Sequence, residues 1–137
     1  MKRALGINEP PGSLPVADRD GTLRRIMRRV YACPVELALD VLGGKWRTVI
    51  LARLKQGPQR YADLRRLTPG MSDKMLTQRL RELVERGFVA RRAGVYALTS
   101  RGASARRVLQ ALYDWGTEVA PEFEARIESP TKRRSRT

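Results

Sequence analysis

Residues 71–92 read MSDKMLTQRLRELVERGFVARR, which combines a leucine stripe, a row of hydrogen-bond donors, a glycine stop and a pair of arginines. At about 100° per residue, with Leu76 at the origin, Leu80 and Leu83 fall within roughly 40° of it. Lys74, Gln78, Arg81 and Glu85 collect on the opposite side, with Thr77 at its edge. Ser72 suits an N-cap, Asp73 the positive end of the helix dipole and Gly87 the C′ position, so a helix over 72–86 is expected. One face packs. The other offers ammonium, hydroxyl, amide and guanidinium groups, the side chains that read base edges and phosphates in a major groove. A solvated charged face has the same pattern, and Glu82 and Glu85 fit that blander reading, so the flanks must decide.

Downstream, "FVARRAGVYALT" (88–99) predicts two strands of β-branched and aromatic residues around a turn. Ala93-Gly94 is a poor type I′ pair because alanine resists positive φ, so a three-residue loop with Gly94 left-handed is expected. Arg91 and Arg92 then sit at the hairpin tip, able to hold phosphates or enter a minor groove. Upstream, "CPVELALDVLGGKWRTVILARLKQG" (33–57) predicts two helices parted by Gly43-Gly44. Leu37, Val41 and Leu42 face inward on the first helix; Trp46, Val49, Ile50 and Leu54 do so on the second. "YADLRRL" (61–67) adds a short helix with Leu64 and Leu67 inward. Three helices followed by a two-stranded hairpin is the order of a winged helix-turn-helix, mainly α with a small β wing.

After Thr99, a good N-cap, a last large helix is expected. It carries an apolar stripe of Val108, Leu109, Leu112, Trp115, Gly116 and Val119 until Pro121 interrupts it. That exceeds what a small domain needs to cover itself. A homodimer burying both stripes is the preferred account, with packing on the chain's own N-terminal helix as the other. The segment "TLRRIMRRV" (22–30) has helical spacing of Leu23, Ile26, Met27 and Val30. Residues 1–21 read as a flexible leader, 22–128 as the ordered domain and 129–137 as a disordered basic tail.

Composition narrows the partners. Across 137 residues there are 28 basic and 14 acidic side chains, a net charge of +14, and the central region remains basic without the two ends. That favours a nucleic-acid or anionic-membrane partner, and composition alone says no more. No histidine and a single cysteine leave Ser-His and Cys-His catalysis and the usual zinc sites without their residues. No cofactor or metal is expected. The carboxylates Asp114, Glu118 and Glu122 recur at four-residue spacing, but that pattern equally describes a solvated helix face, and no enzyme is expected. The longest apolar run, Val49 to Ala52, is far too short for a membrane span, and no secretory signal is read, so a cytoplasmic protein is expected.

The chain resembles the HxlR-type transcriptional regulators, winged-helix relatives of the MarR group. The resemblance rests on "CPVELALDVLGGKW", on "GPQRYADLRRLTPGMSDKMLTQRLRELVERGFVAR", and on "YALTSRG" followed by a helix with "LYDWG". It covers roughly residues 31 to 116. It implies a homodimer that binds a two-fold-related operator in double-stranded DNA and controls transcription. The DNA-facing role would pass to Ser72, Lys74, Thr77, Gln78 and Arg81, and a backbone contact to Arg60. Two departures stand out. The wing is short, which makes phosphate contact by Arg91 and Arg92 the expectation, and Asp73 stands where the family usually has a neutral polar residue. Some relatives sense oxidants or electrophiles through a cysteine near the N-terminus, which makes Cys33 a candidate redox sensor. Its position before Pro34 at a helix start favours a thiolate, whereas a buried small hydrophobe is the commonest state of a free cysteine. The alternative function is a sequence-neutral architectural or RNA-binding basic protein.

Overall fold

The computed structural model describes residues 30–128, which divide into two units at Gly44/Lys45. The expected helix over 22–30, apart from Val30, and the basic tail lie outside the described residues. In the first unit, α1 (Pro34–Leu42) has proline in its first turn and ends at Gly43 with φ +83°. Only Leu42 of this helix is buried, whereas Leu37 is exposed. The inward face expected of Leu37 is therefore corrected. Tyr31, which precedes the helix, donates to the carboxylate of Asp40 in its last turn at 2.7 Å.

The second unit runs α2 (Lys45–Leu54), β1 (Gln59–Arg60), α3 (Tyr61–Leu67), α4 (Asp73–Glu85), β2 (Val89–Arg92), β3 (Val95–Leu98), α5 (Ser100–Ala103) and α6 (Arg106–Val119). A 3-10 turn over Ala120–Phe123 follows, where Pro121 ends the α-helical ladder. Its core is built from Ile50, Leu51 and Leu54 of α2, Leu64 of α3, Leu76, Leu80 and Leu83 of α4, Val89 of β2 and Leu109 of α6. The leucine stripe of the opening stretch is thus the part of α4 that holds it to the domain. Truncating any one of these leucines to alanine costs about 2–5 kcal/mol.

The turn between α3 and α4 is shaped by close packing. The Met71 amide donates to the Thr68 carbonyl at 3.0 Å, and the buried Thr68 hydroxyl donates to the Leu64 carbonyl at 2.7 Å. A Cβ on Gly70 would lie 2.8 Å from the Trp46 ring, so this corner needs a residue without one. At the other end of α4, Gly87 takes φ +84°. Its amide donates to Val84 and that of Phe88 to Leu83, both at 3.0 Å, the paired bonds of a Schellman stop.

Three expectations are revised. The expected hairpin forms as β2 and β3, but β1 pairs with β3 as well, so the sheet has three antiparallel strands in the order β1-β3-β2. Gln59–Arg60 is too short to show periodicity, and its pairing with β3 comes from the tertiary fold. The wing turn is the two-residue loop, since Arg92 pairs with Val95 while Ala93 and Gly94 take φ +53° and +78°. Strand register overrides alanine's resistance to the left-handed region. Finally, the last helix breaks in two at Ser104-Ala105. Thr99 caps only the first piece, accepting from the Gly102 amide at 3.1 Å. Gly102 lies against the Phe88 backbone so closely that a Cβ there would collide with the carbonyl oxygen of Phe88.

Candidate nucleic-acid interface

Helix α4 begins at Ser72, whose hydroxyl accepts from the Met75 amide at 3.1 Å, so the residue's first role is the cap. Lys74, Thr77, Gln78 and Arg81 are all exposed on the side away from Leu76, Leu80 and Leu83. One acid is withdrawn from this surface. Glu82 is half-buried, paired with Arg47 of α2 and, at 3.4 Å, with Arg79. Glu85, at the end of the helix, stays exposed. The first three turns therefore present a donor-rich surface.

Asp73 sits at the front of that surface and is already engaged. Its Oδ1 accepts from the Tyr61 hydroxyl at 2.7 Å and from Arg65 Nε at 2.8 Å, both residues of α3. Tyr61 also reaches the Asp73 carbonyl at 3.3 Å and receives the Thr77 hydroxyl at 3.4 Å. The Tyr61 and Arg65 hydrogen bonds hold the Asp73 carboxyl below its ordinary value. Burial raises the Tyr61 phenol above its ordinary value, with Asp73 reinforcing the rise and Thr77 opposing it. These contacts fasten the first turn of α4 to α3. They were invisible to helical periodicity because they cross between two helices; the only sequence signal is the pair of opposite charges on either side of the Thr68–Ser72 turn.

The third strand rearranges the basic wing. Arg60 and Arg92 both pair with Val95, one from each side of β3. Directly paired residues project from one face of a sheet, so these two arginines share a face, with backbones roughly 9–10 Å apart, two strand spacings. Arg60 is at once the residue before α3 and a neighbour of the wing tip; a Cβ on Gly94 would lie 3.5 Å from its guanidinium. Arg91 projects from the opposite face and stacks its guanidinium over Tyr96, 5.5 Å from the ring centroid. The sequence placed Arg91 and Arg92 together at the tip; the register separates them by face.

Cys33 is exposed at the N-cap of α1, and its Sγ accepts from the Val35 amide at 3.4 Å. The expectation of a helix-start thiol holds, and the buried alternative does not. Among the described residues no group of three or more metal-ligating side chains occurs, and no helix is long and apolar enough to cross a membrane.

Two helices joined by a tight turn, the second exposing a donor-rich face, beside a three-stranded sheet with basic residues at its tip, define a winged helix-turn-helix protein. A profile of the HxlR-like helix-turn-helix family matches residues 41–124, and the chain belongs to that family. It is 38% identical over 105 residues to the uncharacterized HTH-type transcriptional regulator YkvN of Bacillus subtilis, a span of 72% of this chain and 89% of YkvN. Among solved structures it is similar to the redox regulator HypR in its oxidized form, with 34% identity, a TM-score of 0.58, and coverage of 63% of this chain and 96% of HypR. It is also similar to quinone-bound YodB from B. subtilis, with 34% identity, a TM-score of 0.55, and coverage of 63% of this chain and 99% of YodB. The chain is thus a helix-turn-helix DNA-binding protein of a transcription-regulator family, and none of these comparisons points to an enzyme.

Proposed function

We propose that the protein is a sequence-specific regulator that binds duplex DNA as a homodimer, placing one α4 in each of two major grooves of a two-fold-related operator. The observation that carries this reading is the division of α4 into a buried leucine side and an exposed Lys74-Thr77-Gln78-Arg81 side. Arg81 and Gln78 read base edges; Ser72, Lys74, Arg60, Arg91 and Arg92 hold phosphates. Replacing Arg81 by alanine costs about 1–3 kcal/mol on a site selected from random duplex and much less on random DNA. Replacing Lys74, Arg60 or Arg92 weakens both alike and lowers the salt slope by about one unit each. Titrations of fluorescent duplexes at several salt concentrations measure both effects. Equal losses on both DNAs for Arg81→Ala and Gln78→Ala contradict base reading and favour a sequence-neutral binder.

A second reading concerns regulation. Cys33 is an exposed thiol, and two similar structures are those of an oxidized redox regulator and a quinone-bound protein. On this reading Cys33 is the site at which an oxidant or electrophile alters DNA affinity. Cys33→Ser abolishes the response of DNA binding to diamide, peroxide or quinone in the same titration. An unchanged response in the variant removes Cys33 from the mechanism.

A further inference from the structure

We infer that Asp73 is a specificity-determining residue: its carboxylate accepts a hydrogen bond from the N4 amino group of a cytosine in each half-site. The inference rests on the placement of α4 in the major groove proposed above, and deepens it.

Three observations lead there. First, both hydrogen bonds to the Asp73 side chain end on Oδ1, from Tyr61 and from Arg65, while the side chain as a whole is 73% exposed. One oxygen is anchored, and neither of these bonds engages Oδ2. Second, the anchoring groups keep the carboxyl ionised, so it is acceptor-only. Third, the rest of the exposed surface lacks that character. Lys74 and Arg81 only donate, Thr77 and Gln78 can do either, and Glu85 lies at the far end of the helix. Recognition helices make their base contacts with N-terminal residues, and Asp73 is the first residue of α4.

The base follows from the chemistry of the groove. A carboxylate is repelled by phosphates and by bases that present only acceptors there, which guanine does through N7 and O6 and thymine through O4. Adenine offers an amino group beside the N7 lone pair, which would oppose a second carboxylate oxygen. Cytosine offers its amino group with no acceptor of its own beside it. Arg65, at 2.8 Å from Oδ1, offsets the negative charge as the helix approaches the duplex. The same charge disfavours every site where no amino group meets it, so Asp73 raises discrimination at some cost in general affinity.

The test is selection of bound sites from random duplex by the full chain and by the variants Asp73→Ala, Asp73→Asn and Tyr61→Phe, with melting curves to confirm folding. The wild-type site is expected to contain one cytosine per half-site whose preference falls about fivefold or more in both Asp73 variants, with other positions unchanged. Asp73→Asn also binds random duplex more tightly, because a repulsive charge is gone. Tyr61→Phe, which keeps the carboxylate and Arg65, retains the cytosine. If the Asp73 variants select the wild-type site unchanged, Asp73 only fastens the helix and the inference falls while groove reading stands. If the wild-type protein selects no site, groove reading itself falls and takes the inference with it.

Discussion

At Asp73 a single ionisable group links the fold to the exposed, donor-rich face of α4. Tyr61 and Arg65 both stabilise its charged form, so its carboxyl titrates below the ordinary value. A depressed carboxyl contributes stability that is present above its unfolded value and is lost as pH falls through the folded one. The contribution of the Asp73 carboxylate to the contacts between α4 and α3 is therefore present near neutrality and lost only in acid. Carbon-13 NMR titration of the Asp73 carboxyl is expected to show a midpoint below that of a model aspartate, moving upward in Tyr61→Phe. A midpoint at or above the model value would mean that these hydrogen bonds do not hold the charged form. The side chain is too exposed for its pairing with Arg65 to add much stability. Its effect is on orientation and charge.

Among the elements, legibility in the sequence followed the distance over which each is determined. Helix α4 was readable because its period, its Ser72 cap and its Gly87 stop all lie within it, and the structure places each of them as the pattern requires. The exposed positions of Lys74, Gln78 and Arg81 followed from the same period. Strand β1 was not readable, because two residues carry no period and their partner lies 37 positions on, Gln59 against Tyr96. The Arg60–Arg92 face depends on that strand and was hidden with it. The wing turn failed for a different reason: alanine's local preference was outweighed by the pairing of β2 with β3. Ala93, at φ +53°, therefore holds strain that a better turn residue removes. Ala93→Asn, which creates the Asn-Gly pair favoured in two-residue hairpins, is expected to stabilise the domain by about 0.5–1 kcal/mol in urea denaturation. A loss of stability would show that Ala93 is held by something other than the turn.

For the whole molecule, α6 is the unfinished surface. Leu109 is buried in the domain, yet Leu112 is 45% and Trp115 61% exposed, with Val108 exposed beside them. An apolar stripe of this size on one helix is explained if a second copy covers it, as the proposed homodimer requires. Trp115→Glu places a charge in that stripe without touching Leu109 or the exposed face of α4. It is expected to leave the fold intact by circular dichroism, to shift the protein to monomer in sedimentation velocity, and to weaken binding to a two-half-site duplex more than to a single half-site. In the proposed homodimer this contact sets the distance between the two copies of α4. The most direct measurement of the central claim is selection of duplexes from a random pool by the intact protein, read for symmetry and spacing. The account predicts a two-fold-related motif whose halves are centred about 34 Å apart, or a multiple of it. Enrichment of no motif would contradict it, as would enrichment of a single asymmetric one.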